Sequence, residues 1–218
     1  MQNRVDGANK TSYGKNRKEE VLPAYQHIIN KLQGVSYAEA ESFMISFLEE
    51  LYRDKEKYIQ ITLSSAHQLF EETFQIACKA LEKMTEQPLY KNDFTIFLTT
   101  FPRGPYNKDE GQVWIPLFQP VSTYLGNFLH ELQHFQVIHY YKSTLMKELS
   151  EEEFQYLKEA LTVILNDECL EFLGKLDIGY PFHQVIRRDL LWYRRKVHHF
   201  QSLLTYGCEQ VKKQRKKD

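Results

Sequence analysis

His130 and His134 stand four residues apart in His130-Glu131-Leu132-Gln133-His134. On a helix, positions i and i+4 lie one above the other on one face, so both imidazoles can be presented to a single metal ion. Glu131 is one step around, within reach of a water on that ion rather than of the ion itself. The chemistry this set supports is hydrolytic. Zinc makes water more acidic and polarises a carbonyl, while the glutamate takes a proton from water and passes it to a leaving amine. With 8 His in 218 residues, chance would produce the pattern roughly 0.03 times. Phe128, Leu129, Leu132 and Phe135 surround it with uncharged bulk, unlike an exposed surface helix.

A catalytic zinc needs a third protein ligand beside an open position. Three acidic residues qualify: Glu159 in Lys158-Glu159-Ala160-Leu161-Thr162, Glu168 in Asn166-Asp167-Glu168-Cys169, and Asp177 in the following turn. Helical angles do not separate the two glutamates. Each sits in an apolar stripe of a helix buried on two sides, where an unpaired carboxylate is costly. A straight helix holds them roughly 13 Å apart, too far for both to bind one ion. Tyr180 and His183 follow on a turn that could return over the metal and offer a donor to a tetrahedral oxyanion. They could equally cap the turn and open the next helix. Arg187 and Arg188 could hold a substrate carboxylate, with surface pairing favoured. His139, His198 and His199 read as surface histidines, and Tyr140-Tyr141 and Trp192-Tyr193 as packing.

The elements that must position these residues are mostly helical. Residues 1–18 are polar and aperiodic and read as a flexible leader. A helical layer spans 19–87, with Ser36-Tyr37-Ala38-Glu39 as a capping box ahead of Phe43, Phe47, Leu48 and Leu51. A second amphipathic stretch covers 65–84. After Pro88, residues 93–100 alternate as a strand, 101–111 form a turn-rich loop, and 112–118 form a second strand. Pro116 pushes that second strand to a sheet edge. A helix over 123–141 carries the two histidines. Ser150 to Glu153 is another capping box, opening a helix over 151–173 with Gly174 as its C′ glycine. Pro181 opens a last helix to about residue 206, and 211–218 is a basic tail. The expected whole is one mostly helical α+β domain over 19–210, with strands within 93–118 and the metal-site helices within 121–206.

Net charge is -1, but the distribution is uneven. Residues 175–218 carry 11 Lys/Arg against 4 Asp/Glu, while 21–174 carry 12 against 22. A solvated basic helix is the favoured reading, and a nucleic-acid partner for 187–217 the weaker one, because aromatics are not interleaved over most of the tail. The uncharged run 111–130 contains Pro116 and Pro120, which argues against a spanning helix. No apolar signal segment opens the chain. Cys78, Cys169 and Cys208 resemble neither a disulfide framework nor a metal knuckle, so a reduced, cytoplasmic protein is expected.

Over roughly 93–175, His130-Glu131-x-x-His134 followed by a helix with Glu159-Ala160-Leu161-Thr162 resembles the gluzincin metallopeptidases. The resemblance implies a zincin-like domain with an edge strand bordering the cleft. It also implies Zn2+ on His130, His134 and Glu159, Glu131 as general base, and a peptide or protein substrate. Two positions depart from the pattern: Val163 stands where gluzincins often carry a histidine-orienting acid, and Gln136 where an apolar residue is expected. Gly174-x-x-Asp177-x-x-Tyr180 partly resembles the aspzincin motif, whose ligand is an aspartate, with Lys175 and Pro181 breaking it. The rival reading is a non-catalytic module that keeps the scaffold and binds a protein partner.

Overall fold

The computed structural model describes residues 23–100 and 104–215, so the expected leader lies outside the described residues. The chain divides into two compact units, Met1–Gln60 and Ile61–Asp218.

The first unit contains helix α1 (Pro23–Leu32) and the beginning of α2 (Tyr37–Thr85). The capping box that opens α2 is present. Ser36 N–H donates to Glu39 Oε2 at 2.9 Å and Glu39 N–H to Ser36 Oγ at 3.3 Å. Within this unit His27 meets Phe47 edge-on at 6.3 Å, and Ile28 and Ala40 are buried. Where two helical stretches were expected, α2 is one helix of 49 residues. No glycine or proline interrupts it, so nothing in the chain favours a break before Pro88.

The second unit takes over α2 from Ile61 and adds a three-stranded sheet and five further helices of four residues or more. The sheet order is β1 (Thr95–Thr99), β3 (Gln112–Pro116), β2 (Tyr106–Asn107), so β3 is central rather than at the edge. β3 pairs in parallel with β1 from Thr95↔Gln112 to Thr99↔Pro116, and antiparallel with β2 at Tyr106↔Val113 and Asn107↔Gln112. The expected edge position fails because β2 lies inside the segment read as loop.

Pro116 nevertheless sits where its missing donor does no harm. Leu117 N–H donates to Thr99 on β1, and Trp114 N–H donates to Pro105 on the opposite side. Alternation therefore turns the Pro116 nitrogen toward the side that β2, two residues long, does not reach. The β2–β3 turn closes at Gly111, with φ +68°.

Helix α3 (Tyr124–Leu145) carries the histidine pair and is buried on nearly every side, with Phe128, Leu129, Leu132 and Phe135 fully enclosed. That is why its sequence lacks a clean polar face. Phe70, Phe74 and Phe94 pack on Phe128 at ring distances of 5.6–5.8 Å. Gln136, where an apolar residue was expected, is buried because it accepts from Tyr90 N–H at 3.0 Å and donates to the Pro88 carbonyl at 2.9 Å. It ties the chain leaving α2 to the motif helix.

α4 (Glu151–Leu161) opens on the expected Ser150–Glu153 capping box, but it stops twelve residues before the expected end at 173. A 3-10 turn (Thr162–Ile164), α5 (Leu165–Glu168) and a second 3-10 turn (Leu170–Phe172) follow. Side chains interrupt the backbone ladder there. Gln133 Nε2 donates to the Leu161 carbonyl at 2.9 Å, and Thr162 Oγ1 donates to the Glu159 carbonyl at 2.9 Å. Gly174 is therefore no helix C′ residue. Glycine is required because a Cβ there would stand 2.0 Å from the Ser122 carbonyl oxygen.

The expected last helix is two: α6 (Gln184–Arg194) and α7 (Phe200–Arg215). Arg194, nearly buried, donates to the Met84 and His198 carbonyls and to Glu168, which draws the chain out of helical path after α6. The part of the expected basic tail that is described belongs to α7, where Val211 is buried. No helix of the described residues is long and apolar enough to cross a membrane.

Candidate metal centre

His130 and His134 lie one turn apart on α3, with ring centroids 4.5 Å apart. α4 runs beside them and delivers Glu159: its Oε1 lies 3.3 Å from His134 Nε2 and its Oε2 lies 3.9 Å from His130 Nε2. One ligand atom from each of the three residues lies within 4.8 Å of the others. His134 is buried; its Nδ1 has no hydrogen-bond partner among the described residues, and its Nε2 faces the Glu159 carboxylate. Two imidazoles and a carboxylate turned toward one point are a donor set that zinc accepts, so the residues present fit a zinc ion.

The other two candidate ligands are employed elsewhere. Glu168 is held by Arg194, Nε to Oε1 at 2.5 Å and Nη2 to Oε2 at 3.1 Å. Asp177 lies behind the histidines rather than among the ligands, its Oδ2 2.5 Å from His130 Nδ1. That contact keeps a proton on Nδ1 and turns Nε2 toward Glu159, where a bound metal ion would displace the second proton. Asp177 thus fills the orienting role that Val163 cannot.

Its loop is fixed by further bonds. Asn166 donates to the Asp177 carbonyl and accepts from its N–H, both at 2.8 Å. Arg187 donates through Nη2 to Asp177 Oδ1 and through Nη1 to Thr162 Oγ1, each at 2.8 Å. Arg187 was expected at the surface, but it is 2% exposed. Its carboxylate partner is intramolecular, which offsets the cost of burying the charge. Gly179 (φ +59°) permits the turn, and a Cβ there would meet the guanidinium at 2.7 Å.

Burial pushes the Glu131 carboxyl up to about 7, the range of a general base near neutral pH. Burial also keeps His134 neutral, down at about 3, with the Lys158 and His130 charges adding to the effect. For His130 burial acts in the same direction, but the Asp177 hydrogen bond and the surrounding carboxylates outweigh it and raise the value to about 9. Burial opposes ionisation of Glu159, yet the neighbouring Lys158 and His130 charges hold it well below the usual carboxylate range.

Two residues of the centre were missed in the sequence. Lys158 is 2% exposed, its Nζ 3.1 Å from Glu159 Oε1 and donating to Tyr106 Oη at 3.1 Å. Tyr106, on β2, packs on Phe135 at 5.2 Å. A lysine inside an apolar stripe beside a glutamate was the available signal for this pair, because a buried ammonium needs a counter-charge.

Tyr180 and His183 fall in an aromatic group. His183 is buried against Tyr156 at 4.6 Å, Tyr180 at 5.5 Å and Phe182 at 4.3 Å. Tyr156 lies one turn before Glu159 on α4, so this group flanks the ligand helix. Burial lowers the His183 imidazole to about 4. His139, His198 and His199 are exposed, and Tyr141 packs inside, its hydroxyl donating to the Thr85 carbonyl at 2.9 Å.

Beside His130 and Glu131 opens a cleft of about 260 Å³, walled by Val113, Trp114 and Ile115 of β3 and rimmed by Gln119, Asn127 and Lys175. No family model, curated protein or solved structure matches the chain.

Proposed function

We propose that this chain is a zinc-dependent peptidase with a zincin-like domain of gluzincin type, acting on peptide or protein amide bonds in the cytoplasm. The observation that carries this reading is the convergence of His130, His134 and Glu159 beside an enclosed glutamate that opens onto a cleft. The three buried, unpaired cysteines accord with a reducing compartment.

In this reading His130 Nε2, His134 Nε2 and a Glu159 oxygen hold the ion. When bound, zinc supplies Lewis acidity, making water more acidic and polarising the scissile carbonyl. Glu131 takes a proton from the attacking water and returns it to the amine as the C–N bond breaks, so water is divided between the new acid and the new amine. Asp177 keeps the Nδ1 proton of His130 in place throughout, and Lys158 keeps Glu159 ionised. Tyr180 and His183 are the proposed donors to the oxyanion.

The test is elemental analysis of metal-replete protein together with hydrolysis of a quenched casein substrate. About one zinc per chain, absent from His130→Ala, and chelator-sensitive cleavage are expected. Zinc no higher than in the His130→Ala control defeats the proposal.

A further inference from the structure

The cleft has two kinds of wall. β3 forms one side along Val113, Trp114 and Ile115, with Val113 and Ile115 buried and Trp114 half-buried, while Gln119, Asn127 and Lys175 bring side-chain donors to the other, next to His130 and Glu131. Two of those donors have no acceptor among the described residues. Gln119 Nε2 is buried without a hydrogen-bond partner. Lys175 is exposed and forms no ion pair among the described residues, although the centre beside it holds Glu131, Glu159 and Asp177.

The backbone adds a restriction. On the side where β2 ends, β3 presents Pro116, which has no N–H and pairs with no strand there among the described residues, so an extended ligand finds no backbone donor at that position. Recognition at this end of the cleft therefore falls to side chains, and Lys175, Gln119 and Asn127 bring donors to it.

We propose that the cleft is a carboxylate-recognising subsite: Lys175 and Gln119 bind a carboxylate of the ligand close to the scissile position, with the Trp114 side chain taking the adjoining aliphatic part. This rests on the peptidase reading for the meaning of scissile position, but not for the binding itself. The carboxylate is either an acidic side chain or the C-terminus of a peptide, and both offer the same acceptor to an ammonium and an amide.

The experiment measures binding to the zinc-replete full chain of three probes: Ac-Ala-Ala-Glu-Ala-Ala-NH2, its Gln counterpart, and Ac-Ala-Ala-Ala-Ala-OH with a free C-terminus. At least one carboxylate-bearing probe should bind about fivefold or more tighter than the Gln peptide at low salt. Lys175→Met should remove that preference, and since Lys175 is exposed the variant should fold as the parent does. Preference for the Glu peptide assigns the subsite to acidic side chains, and preference for the free acid assigns it to C-termini. Equal binding of all three probes, or a preference kept in Lys175→Met, overturns the proposal. Carboxylate-dependent binding without cleavage of any peptide leaves the subsite standing and removes the peptidase reading alone.

Discussion

Asp177 Oδ2 lies 2.5 Å from His130 Nδ1, although 47 residues separate the two in the chain. Four groups hold the aspartate there: the Asn166 amide, the Arg187 guanidinium, Thr162 through Arg187, and the left-handed turn at Gly179. An acid placed behind a metal-ligating imidazole fixes its tautomer and raises its basicity.

Asp177→Asn should therefore weaken zinc binding roughly 10- to 100-fold without abolishing it. Competition titration against a chromogenic chelator reads this directly. Affinity equal to that of the unsubstituted protein would remove Asp177 from the centre.

Glu131→Gln keeps the shape of the side chain and loses the proton acceptor. Zinc content should stay near that of the parent while peptide hydrolysis falls roughly a hundred- to ten-thousand-fold. Loss of zinc, or full retained activity, shows that the role has been misassigned.

Glu159 and Glu168 should separate cleanly. Glu159→Ala is expected to lose zinc. Glu168→Ala is expected to keep zinc and lose roughly 2–3 kcal/mol of stability, because Arg194 is left inside the protein without its carboxylate. Urea melts and metal analysis of the pair decide it, and zinc loss in Glu168→Ala alone contradicts the assignment.

The thiols give a pH-dependent signature of the core. Burial pushes Cys78 and Cys169 up to about 12 and Cys208 up to about 11. An unfolded thiol titrates near 8.5, so below about pH 8 both states keep the proton and the thiols add no pH dependence. Above that the unfolded chain releases protons the folded chain retains, and stability falls by on the order of 1 kcal/mol per pH unit per thiol. The urea midpoint should drop between pH 9 and 11, less steeply in a Cys78→Ala, Cys169→Ala variant. Identical slopes would mean the thiols are not buried in the folded protein.

The cluster of His130, His134 and Glu159 was legible because helical spacing is local: the two histidines need only four residues of α-helix, and Glu159 follows a capping box visible in the sequence. The surroundings were not legible. Leu161 ends α4 because a glutamine from α3 takes its carbonyl, and α6 ends because Arg194 reaches Met84, more than a hundred residues away. Tertiary bonds of that kind override propensity without altering it. Arg187 and Lys158 were misjudged or missed for the same reason, since a charge reads as surface until its partner is known. β2 is two residues long and carries no alternation to detect.

Pro116 has a consequence for how copies of this protein meet one another. Among the described residues β2 leaves half of β3 unpaired on its side, the sort of sheet margin onto which a second molecule can add a strand, beginning edge-to-edge polymerisation. A proline there denies the incoming strand a donor at the point where a ladder would start, and it does so without a charged residue in the wall of the cleft. The same residue that leaves the cleft open to a ligand thus keeps it closed to aggregation.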